Sequence, residues 1–265
     1  LSRLGVSKID LLQFHWWQYA HPGYVDAMVE LDRLRQQGKI AHLGLTNFDT
    51  DHLRLLVGMG IPIVSNQVSF SLLDRRAAGR MSAYCHEAGV RLLAYGSLAG
   101  GFLSDRWVGA AEPEQVNDWS KLKYQLFIDS IGGWDALQTV LAAANAVARK
   151  HAVSVSNVAV RWVLQQPAVA AVIVGARLTE RDHSAGNRAI FSFVLDAEDM
   201  ARFDDATSKL KTLPGDCGDE YRRPPFLTAS GDLGHHLEQL APVFEPVVDE
   251  GSESRVGESP GSPRV

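Results

Sequence analysis

The sequence predicts an α/β fold built on a sheet of parallel strands, and two observations support this. Short apolar runs of strand length alternate with stretches of helical periodicity, which is the pattern of repeated β–α–β units. Each apolar run also ends in glycine or in polar side chains. Because the carboxyl ends of parallel strands meet at one edge of a sheet or barrel, where ligands bind, these endings predict a site along that edge.

The first strand is predicted from Ile9 to Phe14, a short apolar run with two polar breaks, and it is followed by His15. A histidine where a buried strand ends is well placed for chemistry. The alternative is a core histidine that is held by a backbone hydrogen bond. This stretch taken alone favours the alternative, so the interpretation depends on the other strands.

The other elements follow from periodicity and from capping residues. Glycines close several helical patterns, and Asp49, Thr50, Ser154 and Ser156 are candidate helix starts. Helices are predicted at 24–37, 50–59, 75–87, 134–150, 154–166, 179–185 and 197–208, and strands at 40–45, within 61–68, at 90–95 and at 171–174. The long polar and aromatic stretch 99–133 is expected to be a functional lid or a disordered segment.

Composition divides the chain into three parts. Residues 1–213 carry the alternating pattern, and residues 214–241 form a C-terminal extension with an ordered-looking patch at 221–240. Residues 242–265 are rich in Gly, Ser, Glu and Pro, so we expect a disordered tail there. The segment Gly215–Pro225 is distinctive, but its residues suggest no function.

Several classes of protein are disfavoured by composition. The formal net charge is −5 and no basic stripe with interleaved aromatics is found, which argues against a nucleic-acid binder. The only cysteines are Cys85 and Cys217, so we expect neither a disulfide framework nor a metal site. No apolar run approaches membrane-spanning length. We expect a cytoplasmic protein, or an organellar one if a transit peptide precedes this sequence.

Residues at the strand ends suit a ligand site better than they suit packing alone. Asn47 and Gln67 can each donate and accept hydrogen bonds, as a carboxamide partner requires. Tyr95 offers a flat face for stacking, while Gly175 and Arg177 suit a phosphate. Each of these residues alone is more often structural. Their recurrence at one edge predicts a site.

Five segments in order resemble the aldo-keto reductases. Their strand-end motifs are similar to strands four to eight of that family, and the likeness covers about residues 1–205: Ile9–Trp16, Gly38–Phe48, Asn66–Val68, Ala94–Gly101 and Val172–Arg177. The resemblance implies a TIM-type (β/α)8 barrel that binds NADP(H) across its carboxyl edge and reduces an aldehyde or ketone. Only strands 4–8 with their helices are present, so we expect a partial barrel.

The resemblance also implies a role for each residue at that edge. His15 would position and polarise the substrate carbonyl. The cofactor would be held, from the nicotinamide carboxamide and ring through the pyrophosphate to the adenosine phosphate and adenine, by Thr46, Asn47, Gln67, Tyr95, Ser97, Leu98, Gly175, Arg177, Arg181 and Asn187. The match differs at Leu178 and His183, where the family often has Ser or Thr and a second arginine. Arg177, with Arg181 close enough to substitute for the second arginine, still favours NADP over NAD.

The family's catalytic Asp, Tyr and Lys belong to the first three strand units, and this sequence starts about eight residues before the fourth. Tyr19 and Tyr24 have no lysine partner that the sequence identifies. We expect a fragment of a longer oxidoreductase, because the motif series begins abruptly at Leu1. The alternative is a genuine short isoform that acts as a non-catalytic nicotinamide-nucleotide-binding or regulatory module. The carbonyl substrate and the oligomeric state stay open.

Overall fold

Five parallel strands form one sheet whose strand order follows the chain. The computed structural model describes residues 1–116, 119–175 and 184–226. The strands are β1 (Ile9–His15), β2 (Ile40–Thr46), β3 (Ile63–Ser69), β4 (Arg91–Tyr95) and β5 (Val169–Val172). They neighbour one another in the order β1-β2-β3-β4-β5, and each neighbouring pair is parallel. The predicted α/β class with a parallel sheet is confirmed.

Helices connect and cover the strands. They are α1 (Gly23–Gln36), α2 (Thr50–Gly58), α3 (Arg80–Ala88), α4 (Trp119–Ile131), α5 (Trp134–His151), α6 (Val155–Leu164), α7 (Ser184–Ala189), α8 (Ala197–Ser208) and α9 (Asp219–Arg222). Asp49 caps α2 by accepting a hydrogen bond from the His52 N–H at 2.8 Å. Ser154 and Asn157 form a capping box at the start of α6. These caps satisfy N–H groups that a helix start leaves unpaired.

The core lies between the sheet and its helices. β2 and β3 are the most deeply buried strands, as expected for strands with neighbours on both sides. The longest helix, α5, buries seven residues that recur at helical spacing: Ala136, Leu137, Val140, Leu141, Ala144, Val147 and Ala148. β1 and β5 each have one partner strand among the described residues, so each leaves one backbone edge free of such pairing. None of the described helices is long and apolar enough to span a bilayer.

The described part of residues 99–133 is largely folded into turns and a helix, so the prediction of a disordered segment is wrong there. The described part holds two short 3-10 turns, Ala99–Gly101 and Asp105–Trp107, followed by the 13-residue helix α4. The buried residues of α4 recur at helical spacing and explain its stability: Tyr124, Phe127, Ile128 and Ile131. β5 also begins at Val169 rather than Ala171. Most of the predicted helix 179–185 lies outside the described residues.

The beginning of the C-terminal extension packs against the same core. Glu220 is buried on α9, and Cys217 and Phe226 are buried on either side of that helix. The described residues fall within one compact unit, residues 1–228. The rest of the extension and the tail 242–265 lie outside the described residues, so the predicted division of the chain at residue 214 and the disordered tail stay predictions.

Candidate functional site

The sheet register brings the predicted strand-end residues together. His15 lies opposite Thr46, and Thr46 lies opposite Gln67 on the next strand. Tyr95 pairs with Ser69, two residues beyond Gln67. The ends of β1 to β4 therefore place these side chains along one edge, which we call the carboxyl edge.

Asn47 and Tyr95 are joined directly at this edge. The Tyr95 hydroxyl donates to Asn47 Oδ1 at 2.8 Å, and the Asn47 N–H donates to the Gln67 carbonyl oxygen at 2.8 Å. Asn47 is buried and has a φ of +58°, in the left-handed region that asparagine tolerates better than most residues. Asn66, in contrast, turns its amide onto the main chain of Phe48 and holds the turn rather than facing a ligand.

His15 combines burial with an unused ring nitrogen. Its ring centroid lies 4.3 Å from that of Trp17 and 6.3 Å from that of Tyr221. His15 Nε2 is buried and has no hydrogen-bond partner among the described residues. Burial and the nearby Arg222 guanidinium lower the pKa of His15 to about 4, so the imidazole is neutral at pH 7. A neutral ring of this kind can donate a hydrogen bond to a ligand oxygen without transferring a proton.

The carboxyl edge is covered by a segment whose place the sequence did not reveal. Residues Gly215–Arg222, here called the C-terminal strap, run across the ends of β1, β2 and β4. The Arg222 Nη2 atom donates to the carbonyl oxygens of Trp16 and Asn47, at 2.9 and 2.6 Å. The Tyr221 and Tyr95 hydroxyl oxygens are 3.1 Å apart. The strap is therefore part of the site.

A buried ionic cluster anchors the strap. Arg76 binds both Asp74 carboxylate oxygens, at 2.8 and 2.7 Å, and its Nη1 lies 2.9 Å from Glu220 Oε2. The side chains of Asp74, Arg76 and Glu220 are at most 4% exposed. Burial alone would raise the pKa of Asp74, but the Arg76 guanidinium outweighs burial and holds it below its ordinary value. The strap is therefore fixed by charge pairs inside the protein.

Lys123, on α4, joins this cluster to the carboxyl edge. Its Nζ donates to the Tyr221 hydroxyl at 2.8 Å, lies 3.6 Å from Glu220 Oε1 and stands 5.0 Å from the centroid of the Tyr95 ring. Burial disfavours its charged form, yet the Glu220 carboxylate and the neighbouring tyrosines outweigh burial and raise the pKa of Lys123. Burial and then Glu220 raise the pKa of Tyr95 well above 10, so its hydroxyl stays protonated.

Tyr221 therefore has a lysine partner, which sequence reasoning did not find. The sequence drew attention only to Tyr19 and Tyr24. In the structure, the Tyr19 ring stacks on His52, with ring centroids 3.4 Å apart, and packs under Arg222. The one available signal was the distinctive composition of Gly215–Pro225, which did not indicate its location.

The remaining predicted cofactor residues are less closely gathered. Ser97 is buried and Leu98 half-buried, just beyond the end of β4 at the same edge. Gly175 is exposed three residues beyond β5, and Asn187 is half-buried on α7. Arg177 and Arg181 lie outside the described residues. No group of His, Cys, Asp and Glu side chains in the described ranges could hold a metal ion.

The protein is a parallel α/β protein. Its candidate ligand site is lined by amide, imidazole and phenol side chains at the strand ends. Residues 1–208 match the model of the Aldo/keto reductase family, so the chain belongs to that family. The predicted family is confirmed, and the members with a named activity below are oxidoreductases.

Two curated relatives and one solved structure illustrate the likeness. The flagellar radial spoke protein 5 of Chlamydomonas reinhardtii is 31% identical over 58% of this chain. The NADH-specific methylglyoxal reductase of Escherichia coli is 27% identical over 68% of it. The glycerol dehydrogenase of Gluconobacter oxydans superposes on 81% of the chain with a TM-score of 0.67 and 26% identity. The chain spans only 33%, 54% and 63% of these three proteins, respectively.

Proposed function

We propose that this chain forms the cofactor-binding part of an NADP(H)-dependent aldo-keto reductase that transfers hydride between the cofactor and an aldehyde or ketone. Its five strands would correspond to strands 4–8 of an eight-stranded TIM-type barrel, as a partial barrel. The uninterrupted strand order and the family match over residues 1–208 support this correspondence. The sequence would then be a fragment, and the family's catalytic Asp, Tyr and Lys would belong to three further strand units.

The observation that carries the proposal is the grouping of His15, Asn47, Gln67 and Tyr95 at the ends of neighbouring strands. Asn47 and Gln67 supply donors and acceptors that match a carboxamide, and Thr46 lies directly opposite Gln67 and next to Asn47 in the chain. Tyr95 supplies an aromatic ring beside them. The donor set therefore fits the nicotinamide end of the cofactor.

The rest of the cofactor would extend toward β5. Ser97 and Leu98 would lie along the pyrophosphate, Gly175 and Arg177 with Arg181 would meet the 2′-phosphate, and Asn187 would meet the adenine. Such an arrangement favours NADP over NAD, because a guanidinium binds a phosphate through charge-assisted hydrogen bonds. The placement of the pyrophosphate and adenosine part of the cofactor rests on the family resemblance and not on the described contacts.

When bound, the nicotinamide would supply the hydride. His15 would donate a hydrogen bond from its unused Nε2 to the substrate carbonyl oxygen, which orients the carbonyl and stabilises charge that develops on it. Because the imidazole is neutral above about pH 5, this contact would not change across the physiological range. The substrate would be a small carbonyl compound, and methylglyoxal is a suitable first probe because a relative is named for its reduction.

Fluorescence titration with NADPH and NADH tests the proposal directly. We expect saturable binding of NADPH by this chain. Arg177→Ala should weaken NADPH binding about ten- to hundredfold, the effect of losing one charge-assisted contact, and leave NADH binding unchanged. Arg188→Ala on α7, an exposed arginine close in sequence, is the matched control. Equally weaker binding of NADPH and NADH would show that Arg177 does not bind the 2′-phosphate.

Turnover separates the enzyme from the alternative module. We expect methylglyoxal reduction only when the three preceding strand units are restored. Cofactor binding without reduction in the restored protein would favour the non-catalytic nicotinamide-nucleotide-binding or regulatory module. Absence of binding at millimolar NADPH and NADH would overturn the proposed function.

A further inference from the structure

Arg222 reaches from the C-terminal strap to the ends of two strands. Its Nη2 atom bridges the Trp16 carbonyl oxygen, after β1, and the Asn47 carbonyl oxygen, after β2. The guanidinium carbon lies 4.2 Å above the centroid of the Tyr19 ring, which fixes its other face. Among the described residues, the arginine thus contacts main-chain groups of the carboxyl edge rather than an acidic side chain.

The strap approaches Asn47 as closely as its backbone allows. Gly218 has a φ of +82°, and a Cβ built on it would overlap the Asn47 carbonyl oxygen and the Arg222 Nη1 atom. A glycine is therefore required at this position for both steric and conformational reasons. The contact is specific to this pairing of strap and strand end.

Asn47 is held at its main-chain N–H, at its main-chain carbonyl and at its side-chain oxygen. Its N–H donates to Gln67, its carbonyl oxygen accepts from Arg222, and its Oδ1 accepts from Tyr95. Its left-handed backbone conformation is one that asparagine tolerates, and these contacts hold the residue in it. Without Arg222, the carbonyl contact is lost and the turn after β2 is free to relax.

The arrangement is a poor one for stability alone. Arg222 Nε and Nη1 are buried and have no hydrogen-bond partner among the described residues. Leaving such donors unsatisfied costs free energy, whereas water could solvate two strand-end carbonyls at a looser edge. Local costs of this kind are typical of functional positions.

We propose that Arg222 is a positioning residue of the nicotinamide subsite, which fixes Asn47 in the orientation that binds the carboxamide. This inference rests on the proposed function and adds the strap to its site. Arg222 would affect the nicotinamide end of the cofactor and leave the adenosine end unaffected.

The test compares NADPH with 2′,5′-ADP, which lacks the nicotinamide, as ligands of the full chain. Arg222→Ala should lose about tenfold in NADPH affinity, the order of one charge-assisted hydrogen bond, and keep its affinity for 2′,5′-ADP. Millimolar methylguanidinium should restore part of the loss. Arg223→Ala, the neighbouring arginine with a 66% exposed side chain, should change neither affinity.

Two further variants keep the inference open to refutation if Arg222→Ala does not fold by circular dichroism. Arg222→Lys keeps a charge but cannot reproduce the fixed guanidinium, so a smaller loss confined to NADPH is expected. Gly218→Ala should give the same pattern by displacing Arg222. Unchanged NADPH affinity, or an equal loss for both ligands, would overturn the positioning role while the proposed function stands. Failure of the parent chain to bind NADPH would overturn both.

Discussion

Replacing Arg76 by methionine should destabilise the protein strongly at neutral pH. Arg76 pairs with Asp74 through two bonds of 2.7 and 2.8 Å and with Glu220 at 2.9 Å, and all three side chains are almost fully buried. Methionine fills a similar volume but leaves Asp74 without its cation. Removing one partner of a buried ion pair typically costs about 3–5 kcal/mol, because the charge left behind is not compensated. We expect a loss of that order in the free energy of unfolding, measured with urea at pH 7.

The effect of Arg76→Met on stability should also depend on pH. In the parent protein the lowered pKa of Asp74 contributes stability that is present above its unfolded pKa and is lost as the pH falls through the folded value. In Arg76→Met, burial instead raises the pKa of that carboxyl, so it takes up a proton at mildly acidic pH. The difference between variant and parent should therefore shrink from pH 7 to pH 5. Arg80→Ala, which removes an exposed pair with Asp51, should have no measurable effect. The prediction is wrong if Arg76→Met lowers the free energy of unfolding as little as Arg80→Ala does, or if its loss does not change with pH.

Two more predictions concern stability. The pKa of His15 is 6.5 in the unfolded chain and about 4 in the folded protein, so the free energy of unfolding falls as the pH drops through this window. His15→Gln should make that fall less steep. His86→Gln, at an exposed position, should leave it unchanged. A Cβ at Gly44 in β2 would overlap Ser65 Oγ, so Gly44→Ala should cost about 1–3 kcal/mol and recover in combination with Ser65→Ala. Gly58→Ala, with open space around it, should be neutral or stabilising in the same urea measurement.

The strands and most helices could be predicted because their signals are local. A buried parallel strand needs only a short apolar run, and Asp49 and Ser154 mark helix starts by their own hydrogen bonds. The positions at which strands end were equally accessible, and they located His15, Asn47 and Tyr95. Parallel pairing then brings those residues together without further information.

α4 was missed although its sequence carries a helical pattern. Tyr124, Phe127 and Ile131 recur at the right spacing, but surrounding polar and glycine residues made the stretch resemble a loop. The strap, in contrast, has no local sequence pattern that predicts its position. Arg222 meets Asn47 across 175 residues, and nothing in the composition of Gly215–Pro225 specifies that contact. The contacts that hold the strap, among them those of Glu220 with Arg76 and Lys123, all join residues that are distant in sequence.

The distance along the chain between Asn47 and Arg222 has a consequence for synthesis. The sheet grows strand by strand from β1 to β5, so its contacts can form in the order in which the residues leave the ribosome. The strap is made more than forty residues after β5 ends, and it alone brings Glu220 to Arg76 and Arg222 to Asn47. Chains interrupted before Gly215 would lack both contacts, which leaves the carboxyl edge unfinished. The carboxyl edge is therefore completed only after the ribosome has translated the strap.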